Sequence, residues 1–144
     1  MPSARPRKIV LASKSPRRRE FFRLLGLDFV ADSSDADETI APGLMPQDAA
    51  RSLSQQKARA VAVRHPDALV VGADTIVVLD GEILGKPSDK DEAVAMLQRL
   101  RGRAHDVLSS VTVITPTGVE ITECAESRVV MRDYSDAEIR AYVE

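Results

Sequence analysis

A chain of 144 residues, 44% hydrophobic and 29% charged, fits one domain with a core of useful size, and disorder is not expected. Its net charge of −2 and 3% aromatic content argue against nucleic acid or an anionic membrane as partner, so any anion site must be local. A single cysteine, Cys124, excludes an internal disulfide and a multi-cysteine metal site.

The N-terminal stretch MPSARPRKIVLAS is basic and then only briefly apolar, short of the roughly 7–15 residues of a signal peptide core. No run approaches the roughly 18 apolar residues of a membrane span, and a cytoplasmic protein is expected. Residues 9–13 form a short apolar run, read as a buried strand. Ser15 before Pro16 pairs a good N-cap with proline at the first helical position, so a helix is expected over 16–25, stopped by Gly26. Residues 28–32 read as a second strand, and SSDADETIAPG as a loop of turn formers and acids. A longer helix is expected over 46–63, closing near His65 and Pro66. Residues 68–79 are the most apolar stretch, read as one or two strands, and Asp80-Gly81 is a hairpin turn leading into 82–84. Pro87-Ser88-Asp89 introduces a helix to about Arg101, with Ala93, Met96, Leu97 and Leu100 on one face and Gly102 ending it. Residues 107–115 and 119–132 are β-rich around a turn at 116–118, and Ser135-Asp136-Ala137-Glu138 is a capping box opening a last helix. Interleaved helices and strands predict an α/β fold, a mixed twisted sheet flanked by helices, as a single domain over 1–144.

Several charges stand where folding alone favours apolar or neutral side chains. In the first helix, Phe21, Leu24 and Leu25 define an apolar face, and stepping back along it reaches Arg17 and Arg18, while Arg19 falls on the solvated side. Cations at a helix N-terminus oppose the macrodipole, and a bound anion reverses that sign. Lys57 sits within the apolar stripe of Ala50, Leu53, Ala60 and Val61, where it needs an anion: a structural salt bridge and a ligand contact are both open. Asp74 is the lone carboxylate of LVVGADTIVVL and calls for a metal, a cationic partner or a catalytic duty, while Gly72 permits close backbone approach. Lys86 lies in a rigid loop between Gly85 and Pro87, and the acidic loop offers Asp35, Asp37 and Glu38 to a hard cation such as Mg²⁺. His105, between a helix and a strand, reads as structural, and Ser13 and Ser15 lack a His–Asp set for nucleophilic catalysis. No P-loop or dinucleotide fingerprint is present.

The segments LASKSPRRREFFRLLGL, SDADE, QQKARAVA, VVGADTIVVLDGEILGKP, DEAVAMLQRLRGRAHDV and YSDAEIRAYV resemble, in order, the Maf family of nucleoside triphosphate pyrophosphatases, historically linked to inhibition of septum formation. The resemblance implies a fold like the inosine triphosphate pyrophosphatases and metal-dependent hydrolysis of a nucleoside triphosphate to monophosphate and pyrophosphate. By motif position it implies that Arg17 and Arg18 bind phosphates, that Lys57 and Lys86 contact the triphosphate, and that Glu38 and Asp74 serve a divalent metal (Mg²⁺ or Mn²⁺) and water, with Asp74 the proton acceptor. Ser13 and Thr75 join the substrate-binding set. One branch of the family carries Trp after SP and SDQ for ADT and is linked to 7-methyl-GTP. With Arg17 and Ala73-Asp74-Thr75, this chain is similar to the other branch, which acts on dTTP, UTP and modified pyrimidine nucleotides. Family chains usually continue past the position of Glu144, so the C-terminal part of the family fold is expected to be absent. The alternative is a non-catalytic nucleotide-binding protein or an interaction protein regulating division. Self-association as a homodimer is expected.

Overall fold

The computed structural model describes residues 8–33 and 39–144. Their elements, in order, are β1 (Ile9–Ala12), α1 (Pro16–Leu24), β2 (Val30–Asp32), α2 (Pro46–Ala62), β3 (Leu69–Leu79), β4 (Glu82–Leu84), α3 (Lys90–Leu100), β5 (Ala104–Ile114), β6 (Glu120–Val130) and α4 (Asp136–Val143). The strands form a six-stranded mixed sheet, β2-β1-β3-β5-β6, with β4 paired to β3 off this path. β1 is parallel to both β2 and β3, whereas β4 is antiparallel to β3. The expected α/β class and mixed sheet are therefore what the chain forms. Among the described residues no helix is long and apolar enough to cross a membrane.

The described residues divide into two compact units, one made of those up to Asp74 with Ser109–Cys124 and the other of Thr75–Leu108 with Ala125–Glu144. In the first, β1 and the start of β3 are nearly continuous apolar runs because parallel strands are covered on both faces. Val10, Ala12, Ala58, Val61, Ala68 and Val70 form one core cluster, with Ala62 and Ile114 packed on it. Helix α2 buries Ala49, Ala50, Leu53, Ser54, Ala58 and Val61. Ser54 and Ala58 thus complete the stripe that the sequence reading assigned partly to Ala60, which is only half-buried.

The second unit carries the hairpin between β3 and β4. Asp80 and Gly81 have φ of 51° and 78°, the left-handed pair that a two-residue turn needs to follow the strand twist. Helix α3 opens on Asp89, whose side chain accepts the Glu92 N–H, and α4 opens on Ser135, which accepts the Glu138 N–H. The Tyr134 hydroxyl donates to the Leu97 carbonyl, and Leu100 and Ile139 are buried. β5 begins at Ala104, ahead of the expected residue 107, so His105 lies inside a strand and is buried rather than sitting in a connection.

The face expected for α1 is corrected. Phe21 and Leu24 are 62% and 76% exposed and Leu25 is exposed as well, whereas Phe22 is half-buried, its ring set edge-on to Phe29. α1 is a nine-residue helix with no buried side chain, so its apolar spacing does not decide which face turns inward.

Candidate functional site

The first part of the site is the passage from β1 into α1. The Ser13 N–H donates to the Leu11 carbonyl, the Ser15 N–H to Ser13 Oγ at 3.0 Å, and the Arg18 N–H to Ser15 Oγ at 3.4 Å. The short hydroxyl side chains thus close the turn and cap the helix, with Pro16 in the first turn as expected. No acidic residue stands in that turn, so the positive end of the helix has no neutralising carboxylate of its own there. Ser13 is buried and committed to the turn, which suits positioning and not nucleophilic attack. Ser15→Ala is expected to cost about 1 kcal/mol, seen as a lower unfolding midpoint in denaturant with an unchanged m-value.

Two of the three arginines depart from the sequence expectation, while Arg18 keeps the inward side expected of it. Arg17 is exposed, Arg18 is half-buried, and Arg19, expected in solvent, is half-buried with Nη2 donating to the Ser13 carbonyl at 3.3 Å. With the helix rotated so that Phe22 faces inward, residues one turn earlier, Arg18 and Arg19, share that side. Arg19 therefore pins the turn, and nothing in its spacing from Phe21, Leu24 and Leu25 signalled this.

The second part is a charge pair. Lys57 Nζ donates to Asp74 Oδ1 at 2.6 Å and lies 3.5 Å from the Ala73 carbonyl, the two side chains being 16% and 12% exposed. Each charge is mostly out of water, so removing either partner leaves the other poorly compensated. Of the partners open to Asp74 and to Lys57, the fold supplies a salt bridge between the two.

The pair meets because two periodicities agree. Along β3, Gly72 and Asp74 share one face, and along α2, Ser54, Lys57, Ala58 and Val61 share one stripe. At Gly72 a Cβ would lie 2.7 Å from the Ser54 carbonyl oxygen and 2.8 Å from the Ala58 nitrogen. The close approach anticipated at this glycine is thus made by α2 itself. Helix and strand touch backbone to backbone there, and Lys57 reaches the carboxylate just beyond.

The two parts open at the same end of the sheet. Ala12 is the register partner of Gly72 in the parallel pair β1–β3, so the Ser13–Ser15 turn leaves β1 beside Ala73-Asp74. β1 also lies between β2 and β3, which makes the β1–β3 boundary a topological switch point, where open α/β sheets bind ligands at the carboxyl ends of their strands.

Thr75 follows Asp74 and is exposed, and Lys86 is exposed in the loop between β4 and α3, within the second unit. Glu38, with Asp35 and Asp37, lies outside the described residues. Among the described residues no group of three or more His, Cys, Asp or Glu is placed to hold a metal. At the entry to the acidic loop, Arg64 Nη2 donates to the Ser33 carbonyl at 2.7 Å, and His65 Nε2 is 2.8 Å from Asp32 Oδ2. The His65 bond, then the Arg64 charge, hold the Asp32 carboxyl below its ordinary value. This clamp, at the C-terminal end of α2, had no signal in the sequence beyond the expected helix end.

The sequence profile of the family described as Maf-like protein matches residues 8–144. This chain belongs to the Maf family. Curated relatives include a dTTP/UTP pyrophosphatase of Salinibacter ruber, 48% identical, covering 94% of this chain and 67% of its own length. A dTTP/UTP pyrophosphatase of Bacillus velezensis is 41% identical (96% and 72%), and a 7-methyl-GTP pyrophosphatase of Aromatoleum aromaticum 46% identical (95% and 71%). Among solved structures, the Staphylococcus aureus Ham1 protein aligns with a TM-score of 0.57 at 17% identity, covering 88% of this chain and 72% of that one. A dITP/XTP pyrophosphatase from Mycobacterium abscessus aligns with a TM-score of 0.53 at 20% identity, covering 85% and 73%. These two share the Maf chain's fold, as the resemblance implied.

Proposed function

We propose that this Maf chain hydrolyses a nucleoside triphosphate, dTTP or UTP by preference, to the monophosphate and pyrophosphate with a divalent metal. The observation that carries the reading is the Lys57–Asp74 pair beside the N-terminus of α1, whose first turn holds no carboxylate. Phosphates favour a helix N-terminus, and Arg17 and Arg18 add guanidinium donors matched to phosphate oxygens. The names of the relatives support the same chemistry.

Lys57 holds the Asp74 carboxylate. A triphosphate bound at the mouth of β1 and β3 offers the Lys57 ammonium a second set of anionic oxygens. Asp74 then accepts the proton of the attacking water, while Arg17, Arg18 and Lys57 offset charge growing on the phosphoryl oxygens and the departing pyrophosphate. Lys86 and Thr75 are proposed to contact the nucleotide, and Ser13 to hold the turn against it. The donor chemistry fits a hard cation: Lys57 engages Oδ1 of Asp74, leaving Oδ2 as a carboxylate oxygen, and Mg²⁺ takes one or two carboxylates plus waters and phosphate oxygens. Asp74 with Glu38 would hold it, and it would supply charge neutralisation on the triphosphate. Arg17 after Ser15-Pro16, with Thr75 after Asp74, supports the pyrimidine branch, although the relatives include a 7-methyl-GTP enzyme at similar identity.

Release of pyrophosphate from dTTP and UTP, and not from 7-methyl-GTP, is expected in Mg²⁺ or Mn²⁺, with loss of activity on chelation. Nucleotide binding without release sinks the enzymatic reading in favour of a binding module. Preferential release from 7-methyl-GTP overturns the branch.

A further inference from the structure

Helix α2 meets the sheet through a chain of hydroxyls as well as through its apolar stripe. Ser54, Ser110 and Thr112 are each 0% exposed. Ser54 Oγ lies 2.8 Å from both Ser110 Oγ and Thr112 Oγ1, and Thr112 Oγ1 lies 2.9 Å from Thr122 Oγ1. At the two ends, Ser54 Oγ donates to the Arg51 carbonyl at 3.0 Å, and Gln55 Nε2 donates to Thr122 Oγ1 at 3.2 Å. Each hydroxyl has one proton, so these ends set the direction of every bond between them. Gln55 donates to Thr122, Thr122 to Thr112, Thr112 and Ser110 to Ser54, and Ser54 to Arg51. No hydroxyl proton in the chain is left over. A slide of α2 by one position along the sheet would leave several of these buried groups without partners, which apolar contacts alone would not resist.

Ser54 is also the residue whose carbonyl rests on Gly72, and Lys57 follows it by one turn. We infer that the Ser54–Ser110–Thr112–Thr122 chain is a positioning device for the reaction. It holds α2 at the axial setting from which Lys57 meets Asp74 and the incoming phosphates. The inference rests on the proposed pyrophosphatase reading for its kinetic consequence, and on the Lys57–Asp74 bond for its structural one. None of the four residues touches the nucleotide in this scheme, so they are distinct from the charged residues of the site.

Thr112→Val keeps the shape of the side chain and removes its hydroxyl, whereas Thr112→Ser keeps the hydroxyl and removes the methyl. Two readouts on the folded protein separate the possibilities. The first is the ¹⁵Nζ resonance of Lys57, which reports its hydrogen bond to Asp74 whether or not the protein turns over. The second is steady-state pyrophosphate release from dTTP, resolved into kcat and KM. The expected result is a displaced Lys57 resonance and about tenfold lower kcat, with KM within about twofold, in Thr112→Val. Thr112→Ser is expected to restore both towards the parent despite its own packing loss. An unchanged Lys57 resonance in folded Thr112→Val overturns the inference, and so does equal impairment in the two variants, which would mark packing as the cause. A parent that releases no pyrophosphate sinks the enzymatic reading alone, because the resonance still decides the positioning role.

Discussion

Replacing Asp74 by asparagine is expected to abolish pyrophosphate release, by a factor of about 10³ or more, while the protein remains folded. The substitution keeps the shape of the side chain and removes the negative charge. It takes away the proton acceptor, for which positioned groups typically contribute about 10²–10⁴. The same change removes the anion that Lys57 meets at 2.6 Å. Lys57 is then a mostly buried ammonium facing an amide, and a modest fall in Tm should accompany the loss of turnover. Circular dichroism establishes folding, and single-turnover release of pyrophosphate from dTTP measures the chemistry. Turnover within tenfold of the parent would remove Asp74 from the mechanism. If Lys57→Met, in contrast, leaves measurable release, the two members of the pair have separable duties, one in proton transfer and one in charge stabilisation.

The second large effect is expected at Gly72, an uncharged position two residues before Asp74 on β3. A methyl group there would stand 2.7 Å from the Ser54 oxygen, 2.8 Å from the Ala58 nitrogen and 2.9 Å from the Ala58 Cβ. Two of these atoms are backbone, so no rotamer change relieves the clash and helix and strand must separate. Overpacking of this kind costs about 1–3 kcal/mol. The accompanying shift of Lys57 relative to Asp74 should lower kcat, since a misplacement of about 1 Å can cost roughly 10² in rate. Gly72→Ala is therefore expected to lower Tm by several degrees and kcat by about ten- to a hundredfold. Adding Ala58→Gly removes the Cβ contact and leaves both backbone contacts, so rescue should be partial. An unchanged Tm in Gly72→Ala would show that the close approach is not maintained in solution.

Both expectations depend on how local patterns combine. Lys57 within an apolar stripe and Asp74 within an apolar strand were each legible as charges needing a partner. That they answer one another was not, because nothing local relates residue 57 to residue 74. The relation comes from the crossing of α2 over β3 at Gly72, which has no side chain to keep the backbones apart. Ser54, Ser110, Thr112 and Thr122 were silent in the sequence for a similar reason. A hydroxyl is ordinary on a helix or strand surface, and only burial against other hydroxyls turns it into a constraint.

By itself the sequence determined the elements with strong local chemistry. Ser15-Pro16 started α1, Asp80-Gly81 turned β3 into β4, Asp89 and Ser135 capped α3 and α4, and alternating runs set the α/β class. These signals are local because a cap or a left-handed turn is satisfied within a few residues. The motifs also carried the family, and with it the residues expected to bind phosphate. Tertiary structure alone decided which side of α1 faces inward: it kept Arg18 there, as expected, but overruled the spacing of Phe21, Leu24 and Leu25 in favour of Arg19 and Phe22. It likewise decided that the turn after β1 and the Lys57–Asp74 pair share one end of the sheet. That follows from the parallel register of Ala12 with Gly72, a pairing between distant segments that no local pattern encodes.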